Sequence, residues 1–158
     1  MEKIPSFTIN HLILKPGIYL SRTDEIGGRK LHTYDLRFTA PNVEPVMNTA
    51  EIHTIEHLAA TFLRNHEKYK KEVIYFGPMG CRTGFYLILT DALEGLEVLN
   101  LIKETFKFTA DFEGEIPGAT ARDCGNYLDQ NLPMAKYQAK RYVKNLEKVT
   151  DLSFTYPE

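Results

Sequence analysis

The chain has 158 residues, of which 43% are hydrophobic and 25% are charged, and its net charge is −2. This length predicts a single domain over 1–158 that buries about 70% of its unfolded surface. Lysine and arginine are scattered, no apolar run reaches the length of a membrane span, and the first residues lack the apolar centre of a signal peptide, so we expect a cytoplasmic protein that binds neither nucleic acid nor membrane.

The first third of the chain is predicted to consist of β-strands. Residues 7–14 are rich in β-forming side chains, and a short strand begins at 18–20. A further strand is predicted over 31–38, where apolar residues alternate with Asp35 and Arg37. This alternation predicts a half-buried strand with the charged pair on the face away from the core.

A long helix is predicted over 49–69. Asn48 suits the N-cap position, and Glu51 lies three residues further on, where its carboxylate can bond back to the Asn48 backbone. Apolar residues recur with helical spacing and predict the buried face, which comprises Ile52, Ile55, Leu58, Ala59, Phe62 and Leu63.

The rest of the chain mixes strands and helices without a βαβ rhythm or a glycine-rich phosphate loop. The pattern predicts hairpin strands over 73–76 and 85–90, a helix over 94–108, a loop over 113–118 and a final helix over 133–149. We therefore predict an α+β fold in which a mainly antiparallel sheet packs against helices.

The most informative segment lies in the first predicted helix and reads His53-Thr54-Ile55-Glu56-His57. Two histidines four residues apart lie on one face of a helix, where they can share a metal ion. Glu56 projects to one side of this pair, where it can be a surface carboxylate, hold a histidine ring or move a proton. The order of the residues reverses the familiar His-Glu-x-x-His zinc motif.

Two histidines do not complete a metal site, so another ligand must come from elsewhere in the chain. Cys124 is the strongest candidate, because it offers a thiolate beside a glycine that permits close approach of the backbone. Asp123 and Glu115 compete with it. Two histidines, one cysteine and a solvent molecule would form an open, catalytic site. His66 faces the opposite side of the helix and is not expected to be a ligand.

Two further residues could take part in chemistry. Cys81 follows a Gly-Pro-Met-Gly turn, where a nearby arginine could favour the thiolate, although a small residue packed at the start of a strand is the alternative. Arg64 lies two helical turns beyond His57 on nearly the same face. It could hold a carboxylate at the far end of a metal-bound substrate or remain a solvated arginine.

Taken together, these motifs resemble the S-ribosylhomocysteine lyase family, LuxS, which makes the precursor of autoinducer-2. The resemblance covers nearly the whole chain. The matching stretches are Ser6-Phe7 with His11, Asp35-Leu36-Arg37-Phe38, His53-Thr54-Ile55-Glu56-His57-Leu58, Arg64-Asn65-His66, Pro78-Met79-Gly80-Cys81-Arg82-Thr83-Gly84-Phe85-Tyr86 and Cys124-Gly125.

The resemblance implies a metal-dependent lyase. By position, His53, His57 and Cys124 would bind one divalent ion per subunit, natively Fe²⁺ and often replaced by Zn²⁺ or Co²⁺, while Glu56 and Cys81 would move protons. The substrate would be S-ribosylhomocysteine and the products homocysteine and 4,5-dihydroxy-2,3-pentanedione. The sugar carbonyl would migrate in two proton-transfer isomerisations before β-elimination, in the service of methionine recycling, signalling or both.

The resemblance also implies a homodimer whose two sites lie at the interface. Ser6, His11 and Arg37 would contact the ribose, the first two from the partner subunit. The sequence departs from the family before Pro-Met-Gly-Cys, where the usual Asp-Ile-Ser is replaced by 75–77, Tyr-Phe-Gly. This segment helps to bind the amino-acid end of the substrate in the family, so affinity or specificity would change if a carboxylate is needed there.

Two other classes of function compete with the lyase. A metallopeptidase of the inverted His-x-x-Glu-His type would use Glu56 to activate water and a distant glutamate as a ligand, but it would leave Cys81 and Cys124 unused. A non-enzymatic metal-binding or sugar-binding module would keep the fold without turnover, and the altered Tyr75 segment is its support.

Overall fold

Four strands and three helices make up the computed structural model, which describes residues 2, 4 and 7–158. The elements are, in chain order, β1 (Gly17–Ile26), β2 (Arg29–Arg37), α1 (Thr49–Asn65), β3 (Val73–Pro78), β4 (Gly84–Thr90), α2 (Leu96–Asp111) and α3 (Leu132–Leu146). The strands form one sheet in the order β1-β2-β4-β3, and each neighbouring pair is antiparallel. The predicted α+β fold with an antiparallel sheet is confirmed.

The predicted strand over 7–14 is wrong, because these residues form turns and bends. The Asn10 side chain accepts the backbone N–H of Leu12 at 3.1 Å. An asparagine that bonds to its own neighbouring backbone competes with a sheet ladder, and Leu12, 79% exposed, gains no burial to oppose this. His11 consequently lies in a turn rather than on a strand, and Ser6 lies outside the described residues.

Helix α1 begins where its N-terminal residues predict. The Glu51 carboxylate accepts the backbone N–H of Asn48 at 2.6 Å, which forms the predicted capping box. Five of the six residues of the predicted apolar face are buried, and Phe62 is half-buried. The helix ends four residues earlier than predicted, because the His66 ring accepts the backbone N–H groups of Lys68 and Tyr69 and turns the chain away.

The core between the sheet and the helices centres on aromatic rings. Phe38 stacks on Tyr142 with ring centroids 4.0 Å apart, and it meets Phe85 and Phe106 edge-on. Such pairs stabilise a core beyond the burial of their area. The backbone N–H of Phe38 also donates to the carbonyl of Thr83, so the core fixes the end of β2 against the turn before β4.

Strand β2 differs from its prediction because it is buried on both faces. Asp35 is fully buried and Arg37 is 2% exposed. The expectation of a half-buried strand is therefore wrong over 33–37. The two charges tolerate burial because the Arg37 guanidinium donates to the Asp35 carboxylate.

The remaining elements occur in the predicted order with shifted ends. Strand β3 continues through Pro78, two residues into the predicted turn, and α3 ends at Leu146, three residues early. Among the residues that the structure describes, no helix combines the length and apolar character that crossing a membrane would require.

Candidate metal centre

Three side chains from two parts of the chain converge beside α1. His53 and His57 lie one turn apart on the helix, and Cys124 comes from the loop that precedes α3. The Nε2 atoms of the two histidines are 3.0 Å apart, and the Cys124 Sγ atom is 3.3 Å from Nε2 of His53. All three donor atoms lie within 4.8 Å of one another. The structure thus brings together the three residues predicted to bind a metal.

Backbone carbonyls fix the orientation of both imidazole rings. Nδ1 of His53 lies 2.9 Å from the carbonyl oxygen of Asp129, and Nδ1 of His57 lies 2.7 Å from that of Pro117. A carbonyl oxygen can only accept, so each Nδ1 carries the hydrogen and donates it. Each Nε2 is then left with a free lone pair directed into the centre.

This donor set fits a divalent transition metal. Two imidazole lone pairs 3.0 Å apart repel each other unless a cation lies between them, and the thiol of Cys124 supplies a softer ligand on the same side. Donors bound tetrahedrally to one ion at about 2.0–2.3 Å lie roughly 3.3–3.6 Å apart, close to the spacings here. Two nitrogens and one sulfur suit Fe²⁺, Zn²⁺ or Co²⁺ and leave a fourth coordination position open.

Gly118 shapes the loop that supports His57. Its φ of +73° lies in the left-handed region, and a Cβ at this position would be 3.4 Å from Nδ1 of His57. The neighbouring carbonyl of Pro117 is the one that receives the His57 hydrogen bond. A glycine here therefore permits both the turn of the backbone and the close approach to the ring.

Hydrogen bonds also join α1 to the end of this loop that lies next to α3. The Thr54 hydroxyl donates to Oε1 of Gln130 at 2.7 Å and accepts the backbone N–H of Asn131 at 2.9 Å. These bonds bring Asp129 and its carbonyl against His53. Sequence patterns did not identify Thr54, Gln130 or the two carbonyls as supports, because their roles depend on contacts across 60 to 77 positions of the chain.

The other residues considered as ligands lie outside this group. The His66 ring meets the carboxylate of Glu104 at 3.1 Å, as expected for a histidine on the far side of α1. Asp123, the neighbour of Cys124, accepts the hydroxyl of Thr120 instead. Glu115 is exposed and is not part of the described cluster.

Cys81 and Arg37 form a second cluster of functional groups. Cys81 is an exposed free thiol, and its Sγ atom lies 3.1 Å from the Thr83 hydroxyl and 3.9 Å from Nη1 of Arg37. The same Nη1 donates to the Thr83 hydroxyl at 2.5 Å. The buried guanidinium therefore lies where it can interact with the charge of a sulfur nucleophile or base. The arginine near Cys81 is thus Arg37 from β2, which sequence proximity could not reveal.

Backbone bonds hold the turn that carries Cys81. The carbonyl of Thr83 accepts the N–H groups of Phe38 and Thr39, and the carbonyl of Arg82 accepts that of Met47 just before α1. The turn is therefore fixed between the end of β2 and the start of the helix that carries the two histidines.

Asp35 and Tyr156 complete the surroundings of Arg37, and sequence reasoning assigned a role to neither. Burial raises the pKa of the Asp35 carboxyl, and the adjacent Arg37 guanidinium opposes that rise. A smaller contribution from His11 also lowers this pKa. The Tyr156 hydroxyl donates to Asp35 at 2.9 Å. The only feature of the sequence that could have drawn attention to Asp35 is the alternation of apolar and charged residues in β2.

Glu56 and Arg64 occupy different parts of α1. Glu56 is half-buried next to His57, and within the described chain no hydrogen bond or ion pair engages it. Arg64 is exposed and donates through Nη2 to the carbonyl of Ile74 at 3.1 Å. Arg64 thereby lies beside the altered segment that begins at Tyr75, a side chain 47% exposed.

Comparison with known proteins gives one consistent result. The model of the S-ribosylhomocysteinase (LuxS) family matches residues 4–152. The chain is 59% identical over 158 residues to the S-ribosylhomocysteine lyases of Clostridium acetobutylicum and Finegoldia magna, with the whole of each chain covered in both comparisons. It is 52% identical over 159 residues to the S-ribosylhomocysteine lyase of Porphyromonas gingivalis, again over the full length of both chains.

Proposed function

The chain belongs to the S-ribosylhomocysteinase (LuxS) family, and we propose that it is a carbon–sulfur lyase that cleaves the thioether of S-ribosylhomocysteine in a metal-dependent reaction. The products are homocysteine and 4,5-dihydroxy-2,3-pentanedione. The observation that carries this proposal is the convergence of His53, His57 and Cys124 with both imidazoles oriented by backbone carbonyls.

His53, His57 and Cys124 would hold one divalent ion per subunit. We propose Fe²⁺ as the native ion because membership of the family implies it. Zn²⁺ or Co²⁺ would be able to replace it, since a set of two nitrogens and one thiolate accepts all three. When bound, the ion supplies a Lewis acid that polarises an oxygen of the substrate.

Glu56 and Cys81 are the proposed proton carriers. Moving the sugar carbonyl from C1 to C2 and then to C3 is redox-neutral, since each shift removes a proton from one carbon and returns one to its neighbour. With the carbonyl at C3, loss of the proton at C4 breaks the bond between C5 and sulfur and releases the homocysteine thiolate. Two observations support these roles. No hydrogen bond or ion pair from the described residues engages the Glu56 carboxylate, and the Cys81 sulfur lies beside the Arg37 guanidinium.

The substrate is proposed to lie between two subunits of a homodimer. Arg37 would contact the ribose from one subunit, while His11 and Ser6 would reach it from the other. Phe7 and Leu12, which lie in the same N-terminal segment as His11, are 69% and 79% exposed, and this supports their burial against a second copy. We assign the amino-acid end of the substrate to Arg64, whose guanidinium can bind a carboxylate. Both cysteines are free thiols, which fits the reducing cytoplasm.

The competing functions receive less support. An inverted His-x-x-Glu-His peptidase needs a distant glutamate as its third metal ligand. Among the described residues, the side chain grouped with the two histidines is Cys124 rather than a glutamate. The hypothesis of a non-enzymatic binding module depends on the altered Tyr75 segment alone. A measurement of turnover distinguishes it from the lyase.

The test is release of free thiol from S-ribosylhomocysteine by protein prepared without oxygen and loaded with Fe²⁺ or Co²⁺. We expect homocysteine release that a metal-free sample lacks. His57→Gln should lose both metal and turnover, whereas the matched variant His66→Gln, on the same helix but outside the cluster, should retain both. No thiol from a fully metallated, folded dimer would contradict the lyase and favour the binding module.

A further inference from the structure

The C-terminal segment crosses from one face of the sheet to the other. The carbonyl of Phe154 accepts the backbone N–H of Leu20 at 2.7 Å, and the buried Phe154 ring meets Tyr34 edge-on at 5.8 Å. Two residues later, Tyr156 bonds to Asp35, the neighbour of Tyr34. Successive residues of a strand point to opposite faces, so the segment passes around the β1 edge.

Tyr156 is held firmly once it reaches the second face. Its ring stacks on Tyr19 with centroids 4.9 Å apart and an interplanar angle of 11°. Burial raises the pKa of the Tyr156 hydroxyl, and the charge of Asp35 raises it further. The hydroxyl therefore remains protonated and acts as a hydrogen-bond donor to Asp35.

A continuous chain of contacts joins Tyr156 to Cys81. Oδ2 of Asp35 accepts from Tyr156 and from Nη2 of Arg37, while Nη1 of the same guanidinium faces Thr83 and the Cys81 sulfur. Asp35 and Arg37 are both almost fully buried, so water cannot readily replace a lost partner.

The Asp35–Arg37 pair is not saturated in this arrangement. Among the described residues, neither Oδ1 of Asp35 nor Nε of Arg37 has a hydrogen-bond partner. An arginine and a carboxylate prefer two parallel bonds. The Tyr156 hydroxyl engages Oδ2 and holds the carboxylate in its present orientation; without it, the carboxylate can turn towards a two-bond pair and draw the guanidinium away from Cys81.

We propose that Tyr156 is a positioning residue, which orients Asp35 so that the Arg37 guanidinium faces Cys81. This inference builds on the proposed function, in which Cys81 moves protons. It assigns a role in the reaction to the C-terminal segment, far in sequence from every motif that carries the chemistry.

The first test measures Cys81 directly. The chain contains two cysteines, so a Cys124→Ser background leaves Cys81 as the sole thiol. In that background, Tyr156→Phe keeps the ring but removes the hydroxyl. We expect Cys81 to be alkylated about threefold to tenfold more slowly by iodoacetamide at neutral pH, with a matching loss of thiolate ultraviolet absorbance. Tyr137→Phe, at a tyrosine 54% exposed on α3, is the matched control and should change neither.

The second test measures turnover in the otherwise unaltered, metal-loaded protein. Tyr156→Phe should lower kcat by a similar factor while leaving metal content and circular dichroism unchanged. Alkylation within twofold of the Tyr137→Phe control would overturn the positioning role. Absence of turnover in the unaltered protein would contradict the proposed function. Alkylation needs neither metal nor substrate, so Cys81 reactivity would still decide the role of Tyr156 in that case.

Discussion

The Nε2 atoms of His53 and His57 lie 3.0 Å apart, although each ring has its Nδ1 within hydrogen-bond distance of a backbone carbonyl. With the hydrogen of each neutral ring committed to a carbonyl, two lone pairs face each other. The fold thus arranges donor atoms that suit a cation, and it does so through contacts that α1 alone cannot provide.

The support beneath His57 gives the first prediction. Gly118→Ala places a methyl group against the ring, and we expect metal affinity to fall about tenfold or more. Gly114→Ala is the control, because Gly114 also has a positive φ but a Cβ there meets nothing within 4 Å. Both variants should lose about 1–2 kcal/mol of stability from backbone strain. Equal metal affinity in competition titrations of the two would contradict the role of Gly118.

Removal of the two proposed proton carriers should separate metal binding from chemistry. Cys81→Ala and Glu56→Gln leave the His53, His57 and Cys124 ligands in place, so metal content should equal that of the unaltered protein. Turnover should fall by about 100-fold or more in each, the usual contribution of a general acid or base. Full activity of either variant, measured as homocysteine release, would remove that residue from the mechanism.

Arg64 should contribute to substrate binding rather than to the chemical step. Arg64→Ala removes a guanidinium on the metal-facing helix, and we expect KM to rise about tenfold or more with little change in kcat. Arg29 is an exposed arginine at the first position of β2, and Arg29→Ala should leave both constants unchanged. A fall in kcat at unchanged KM would instead place Arg64 close to the reacting atoms.

Tyr142 should be among the side chains most important for stability. Its hydroxyl donates to the carbonyl of Gly17 at 2.8 Å in a fully buried position. Tyr142→Phe leaves that carbonyl unsatisfied and should lower the free energy of unfolding by about 1–3 kcal/mol in urea denaturation. The exposed Tyr137→Phe should change it by less than about 0.5 kcal/mol. Equal effects would mean that water replaces the lost donor.

The C-terminal segment should show a pH-dependent turn. The hydroxyl and backbone N–H of Ser153, together with the Thr155 hydroxyl, lower the pKa of Asp151 from 3.8 to about 2. Because the folded-state pKa is lowered, the ionised Asp151 carboxylate stabilises the turn fully above about pH 4. This stabilisation is lost as the pH falls through about 2 and the carboxylate becomes protonated. Carboxyl-carbon NMR titration should show this, and Ser153→Ala should raise the value towards 3.8. An unchanged titration in that variant would exclude Ser153 as the cause.

Sequence patterns gave the local parts of the fold because local forces decide them. The capping box of Asn48 and Glu51, the apolar face of α1 and the β3–β4 hairpin all depend on residues close together in the chain. The strand prediction over 7–14 is wrong for a non-local reason, because a segment with strand propensity forms a strand only when a partner strand pairs with it. Here the Asn10 side chain accepts the backbone N–H of Leu12 instead.

By itself, the sequence determined that His53 and His57 share one helix face, because a helix of 3.6 residues per turn leaves no other arrangement. It also marked Cys81 and Cys124 as the thiols available for chemistry. Only the tertiary structure chose Cys124 over Asp123 and Glu115 as the partner of the two histidines. The physical reason is that long-range hydrogen bonds and burial decide which distant side chains meet, and neither is encoded in the spacing of residues along the chain.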